Sequence, residues 1–199
     1  MLNTGFVTAE SRAANLGASF RHLITNAVAL DDDRIKTSYV ATAGTKVSHV
    51  TADFAAQPDV SRNVIFKVTA VGGTVAGVWC KVKGTDPDGN HQEELLKVSG
   101  IATATGKKMF KTISSAETLC RGTPASTATS RIGVGNSLYP GVKLGAAADI
   151  TLVTQAGTPD TVTVSARYSS FIPATVPDGT IDYEVFGRST WGLDLSSVI

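Results

Sequence analysis

From Ile35 to residue 186 the chain is a succession of short runs in which apolar and polar residues alternate, each run cut by glycine, proline or aspartate. A period of two sends successive side chains to opposite faces of a strand, whereas a helix needs spacings of three and four. Thr37, Tyr39 and Ala41 alternate with their neighbours, as do Lys46, Ser48 and Val50. The run Val64-Ile65-Phe66-Lys67-Val68-Thr69 is rich in β-branched and aromatic residues and reads as a strand. Gly72-Gly73 follows as a turn, and residues 75–82 are expected to pair back as a hairpin. A stronger turn signal is Thr85-Asp86-Pro87-Asp88-Gly89-Asn90, where Pro87 pre-sets its own φ and Gly89 accepts a positive one. Residues 93–98 return from it, and further strands are expected at 101–105, 108–113, 131–134, 149–154, 161–168 and 181–186. About ten short strands between turns, with one helical stretch, predict an all-β chain: a β-sandwich or jelly roll with an N-terminal helical or extended arm.

Charge and apolar content exclude several partners. Lys and Arg total 18 against 17 Asp and Glu, a net charge of +1, so no nucleic-acid partner is expected. Hydrophobic residues make up 42%, enough to build a core. No apolar run approaches the roughly 18 residues of a membrane span, so no membrane partner is expected either. Met1-Leu2-Asn3-Thr4 lacks the basic-then-apolar pattern of a secretory signal, and Cys80 and Cys120 are too few for a disulfide framework. Folding in a reducing cytosol is therefore expected, with a single bridge between the two cysteines left open.

Three regions are expected: an arm over 1–33, a β-sandwich domain over 34–186 and a tail over 187–199. In the arm, Leu16, Phe20, Leu23, Ile24 and Ala27 recur at spacings of three and four, predicting one helical face behind an N-cap at Thr8. A lone helix of about twenty residues is marginal in water. Leu16, Phe20, Leu23 and Ile24 are therefore expected to be interface residues, on this chain's own domain or on a partner. Asp31-Asp32-Asp33 is unfavourable at a helix C-terminus and is expected to be a solvated turn, with a cation site as the lesser reading. In the tail, Trp191 and Leu193 join the expected interface, followed by Leu195 and Ile199.

Residues that carry chemistry are sparse. His22, His49 and His91 lie in separate segments, and no four ligands fall at zinc spacing. Asp86, Asp88 and Asn90 alternate as calcium-loop ligands do, but position twelve of such a loop would be Lys97 rather than Glu. A hairpin turn explains them, and they stand only as weak metal candidates. Gly133-Val134-Gly135-Asn136 lacks the third glycine of a dinucleotide fingerprint, and no Gly-x-Ser-x-Gly elbow occurs. Glu93 and Glu94 are adjacent on a strand, so one must point away from the core. No catalytic residue and no cofactor is expected, and the chain reads as a non-enzyme.

Five pieces of sequence, taken in order, carry a resemblance: Pro58-Asp59-Val60-Ser61-Arg62-Asn63; Gly84-Thr85-Asp86 with Gly89; Ala104-Thr105-Gly106-Lys107-Lys108-Met109-Phe110-Lys111-Thr112-Ile113; Gly133-Val134-Gly135-Asn136-Ser137-Leu138 with Tyr139-Pro140; and Pro177-Asp178-Gly179-Thr180-Ile181-Asp182-Tyr183-Glu184-Val185. Together these resemble a family of bacteriophage virion structural proteins over residues 35–186. Asn136-Ser137-Leu138 departs from the family's acidic-basic step, and Tyr139 precedes Pro140 instead of following it.

The resemblance implies a capsid decoration or cement protein. Its localisation would be the virion, assembled in the host cytoplasm, and its partners the major capsid protein and further copies of itself, as a homotrimer. A head–tail connector, collar or tail component is the alternative within that class, and a carbohydrate-binding attachment module is the alternative outside it. Many weak contacts made at once would supply the avidity. Within the motifs, Arg62 and Asp182 are expected to pair with one another or to contact a neighbour.

Overall fold

Residues 18–190 are described by the computed structural model, and they carry fourteen strands and three short 3-10 turns. In chain order the strands are β1 (Ala18–Ile24), β2 (Asp31–Thr42), β3 (Lys46–Val50), β4 (Arg62–Gly72), β5 (Val75–Thr85), β6 (His91–Val98) and β7 (Thr103–Phe110). Then follow β8 (Thr112–Gly122), β9 (Thr127–Leu138), β10 (Ile150–Gln155), β11 (Thr158–Asp160), β12 (Val162–Ser165), β13 (Ser170–Pro173) and β14 (Tyr183–Ser189). The all-β, sandwich-like architecture is as the alternation predicts.

The strands form three antiparallel sheets. One has the order β3-β8-β5-β6, and a second runs β12-β13-β9-β4-β7 with β2 also paired to β9. The third is β1-β14-β10-β11. The first two sheets face each other across the larger core, where Val64, Phe66 and Val68 of β4 meet Val78, Cys80 and Val82 of β5. A smaller core gathers Ile24, Leu144, Val153, Phe171, Tyr183 and Val185 under the third sheet. Strand β9 serves both, with Ile132 and Val134 in the larger core and Leu138 in the smaller one.

Two expectations about pairing are corrected. Strands β4 and β5 do not form a hairpin: β4 pairs with β7 and β9, and β5 with β6 and β8. The chain changes sheets at Gly72-Gly73, with Gly73 at φ +72°. Both strands bury one apolar face, and two such faces are as well satisfied packed across a core as side by side. The hairpin at 85–90 does form, with Thr85 opposite His91. The Asp86 carboxylate accepts from the amides of Asp88 and Asn90, and Gly89 sits at φ +89°.

The helix expected through Phe20, Leu23 and Ile24 is also corrected. Residues 18–24 are strand β1, paired along its length with β14 from Ala18 opposite Ser189 to Ile24 opposite Tyr183. Ser19, Arg21 and Leu23 are exposed, while Phe20, His22 and Ile24 turn inward, a period of two. Backbone pairing to a strand edge outweighs the propensity of a short helix that would be marginal by itself. Likewise, Asp31-Asp32-Asp33 is not a free turn. It opens β2, and Asp32 is held by Lys67 and by Arg131 at 3.3 Å. These two cations hold the Asp32 carboxyl below its usual range, the Lys67 hydrogen bond most of all.

The motif residues hold the sheets together. Arg62 is fully buried between the cores. Its Nε donates to the Gly135 carbonyl at 2.8 Å, and its Nη1 donates to the Val28 carbonyl at 2.9 Å and to Asp59 at 3.1 Å. Asp59 accepts in turn from the Val28 amide at 2.8 Å. The expected pairing of Arg62 with Asp182 is thus corrected, since Asp182 accepts from the Asn26 amide at 3.0 Å. Asn63 donates to the Gly106 carbonyl at 2.9 Å and accepts from Ser137 at 3.0 Å, tying β4 to β7 and β9. At Gly84 and Gly133 a Cβ would stand 1.9 Å from a backbone oxygen, of Thr112 and Asp31 respectively. Asp178 accepts from the Thr180 and Ile181 amides and so shapes the turn before β14.

Candidate docking surface

Of the residues expected at an interface, Leu16, Trp191 and Leu193 lie outside the described residues. The other three do not share a stripe. Ile24 is buried in the smaller core, Phe20 packs against that core, and Leu23 is 56% exposed on the outer face of the third sheet.

The metal candidates are engaged by their own chain. Asp86 holds the turn amides and the Asn90 side chain at 3.3 Å, and Asp88 pairs with Lys143 at 2.6 Å. Among the described residues, one group of three carboxylates could converge, Asp31, Asp32 and Asp33, and Asp32 there already faces two cations.

The other polar candidates are dispersed. His49 is buried edge-on to Tyr39, with ring centroids 4.5 Å apart, and its Nε2 has no hydrogen-bond partner. Burial pulls its pKa below the usual value. Both cysteines are free and buried. Burial raises the Cys80 thiol to about 12, which disfavours a reactive thiolate there. Glu93 pairs outward with Lys81 at 3.0 Å, and Glu94 accepts from the Lys107 amide at 2.8 Å, clipping β6 to β7.

One ordered face that the fold presents to solvent is the outer face of the β3-β8-β5-β6 sheet. Each of its strands sends alternate residues inward, so the others form straight cross-strand rows. Lys46, Leu119, Trp79 and Lys97 make one row. Ser48, Glu117, Lys81 and Leu95 make the next. The face carries five cations, Lys46, Lys81, Lys83, Lys97 and Arg121, against the carboxylates Glu93 and Glu117, a local balance of +3 in a chain whose net charge is +1. Glu117 lies 3.5 Å from Lys46 and 3.9 Å from Lys83.

Trp79 is the centre of this face. Lys97 Nζ and the Arg121 guanidinium each stand 4.8 Å from its ring centroid, one from each flanking strand. Such cation–π contacts are worth about 0.5–1 kcal/mol at exposed sites. Beside the indole, an open hollow of about 440 Å³ is lined by Thr74, Ala76, Gly77, Arg121, Gly122 and Thr123. Residues 75–82 already set Trp79 and Lys81 opposite the inward Val78, Cys80 and Val82, so the face was readable from sequence. Arg121 was not, because its place beside Trp79 depends on the β5–β8 pairing.

Two further hollows flank Tyr139. One of about 390 Å³ holds Asp86, Gln92, Lys108, Arg167 and Tyr168, and one of about 460 Å³ holds His22, Pro58, Asp59 and Lys111. Burial, and then Asp88 and Asp86, push the Tyr139 hydroxyl up to about 12.

Comparison with known proteins finds no matching family model, no matching curated protein and no matching solved structure.

Proposed function

We propose that this chain is a non-enzymatic structural protein of a bacteriophage virion, docking on the outer capsid shell as a homotrimer and stabilising it. The support is a division of labour within the chain. Every motif behind the sequence resemblance contributes residues that hold or closely pack the strands or shape a turn, Arg62, Asn63, Gly84, Gly106 and Gly133 in the sheets and Asp178 in the turn before β14. The ordered solvent face, in contrast, is a broad sheet surface with an aromatic centre, which suits adhesion rather than turnover. Strands β3, β1 and β11 each end a sheet, and such edges invite pairing with another copy. The partner in this reading is the major capsid protein. Mass measurement of the free protein, followed by co-sedimentation with purified particles, tests it. A trimer that sediments with particles supports the proposal, and a monomer that stays in the supernatant overturns it.

A carbohydrate-binding attachment module is the second reading. It is favoured by the groove that sets Tyr139 and Tyr168 beside Asp86 and Gln92. A host-surface polysaccharide that binds the wild type and not Tyr139→Ala would move the assignment there. A neck or tail location within the virion remains the structural variant of the first reading, and copy number separates it from decoration.

A further inference from the structure

We infer that the outer face of the β3-β8-β5-β6 sheet is the docking surface for an acidic patch on a protein partner, with Trp79 as its anchor. The inference names the face through which the proposed function would act, and depends on that proposal only for the partner's identity.

Three observations carry it. The first is charge: the balance of +3 on this face contrasts with the face on the other side of the sandwich, where Lys67 and Arg131 are met by Asp32 and Asp33. On the docking face Glu117 and Glu93 already contact lysines. Among the described residues, however, no carboxylate lies within ion-pair distance of Lys97 or Arg121. Those two cations are held at the Trp79 ring, where a partner's carboxylates would complete them.

The second observation is anatomy. Protein interfaces concentrate their binding free energy in a central Trp, Tyr or Arg beside a pocket, ringed by polar contacts. Trp79 has such a hollow next to it, with Leu119 directly beside it in its own row and the 49%-exposed Leu95 in the next. Four strands at about 4.8 Å spacing give a platform rather than a cleft, which fits a protein surface better than a small molecule.

The third observation separates protein from nucleic acid. Single strands bind by stacking bases on open aromatic rings. Here the indole is already engaged by two side chains of its own chain, one from each neighbouring strand.

The test uses the ¹⁵N-labelled full chain titrated with poly-L-glutamate as a probe of acidic protein surface, read by amide and indole shifts. The expected result is shifts confined to the outward residues of β5, β6 and β8, centred on the Trp79 indole N–H, and suppressed by high salt. The double variant K97E/R121E reverses the face from +3 to −1 and is expected to weaken binding about tenfold or more. Its unchanged dispersion elsewhere in the spectrum would show that it still folds. Absence of shifts, or shifts spread over other faces, overturns the inference. Tighter binding of a single-stranded oligonucleotide at the same face also overturns it and assigns the face to nucleic acid.

Co-sedimentation with particles is read separately. A wild type that fails to bind overturns the proposed function while leaving the glutamate titration to decide the face. A K97E/R121E variant that binds particles as well as the wild type overturns the face.

Discussion

Replacing Arg62 by Met is the sharpest probe of what joins the two cores. The guanidinium is fully buried and satisfies the carbonyls of Gly135 and Val28 as well as Asp59. Methionine roughly fills the volume but strands the Asp59 carboxylate and both carbonyls. Removing one partner of a buried pair costs about 3–5 kcal/mol. Asp59 keeps the Val28 amide, and its side chain is 14% exposed, so the low end applies: about 3 kcal/mol. In a chain of this length that corresponds to a fall of roughly 6–12 °C in Tm. Urea unfolding, compared at constant slope, measures it. Arg62→Lys keeps the charge but loses the planar fork and is expected to fall between wild type and R62M. The double variant R62M/D59L has no stranded charge and is expected to be more stable than R62M alone. An R62M protein within about 0.5 kcal/mol of wild type would refute the assigned role of this pair.

Gly84→Ala places a methyl 1.9 Å from the Thr112 carbonyl and is expected to destabilise by about 2–3 kcal/mol or more, whereas Gly179→Ala, with open space and φ +88°, is expected to cost only about 1 kcal/mol; paired melts distinguish them. His49 and His22 both have pKa values lowered by burial, so the unfolded chain binds protons more readily and stability falls as pH drops below about 6.5. His49→Gln is expected to flatten that slope, and denaturation midpoints between about pH 7 and 5 measure it. Deleting residues 1–33 removes β1 and buried Ile24 and exposes the edge of β14, so it is expected to aggregate; circular dichroism and sedimentation decide it, and a soluble, folded product would count against the role of β1.

Apart from β8, most of which was missed because the expected strand at 108–113 straddles the end of β7 and the start of β8, the main strand positions were legible in the sequence because alternation reports which face a residue takes. Strand partners were not, because a period of two is silent about which edge lies alongside. The pattern of β4 and β5 fits a hairpin and a sandwich equally, and the two edges of β4 go to β7 and β9. Strand β1 was hidden by a coincidence of spacing: Phe20, Leu23 and Ile24 satisfy a helical face while Phe20, His22 and Ile24 satisfy a strand. The distant edge of β14 decides between them. Arg62 looked like a surface residue because charge normally is. Its local clue was Asp59 three positions earlier, and the Gly135 carbonyl that completes its shell arrives only with β9. The turn at Asp86–Asn90 was fully legible because its glycine and carboxylate act locally.

Cryo-electron microscopy of virions carrying this chain tests the central claim most directly. The account predicts threefold-related copies of a three-sheet β-protein on the outer shell, in hundreds of copies per particle, with the Trp79 face turned toward the capsid. Shells without such density, or a Trp79 face pointing to solvent while another surface makes the contact, would contradict it.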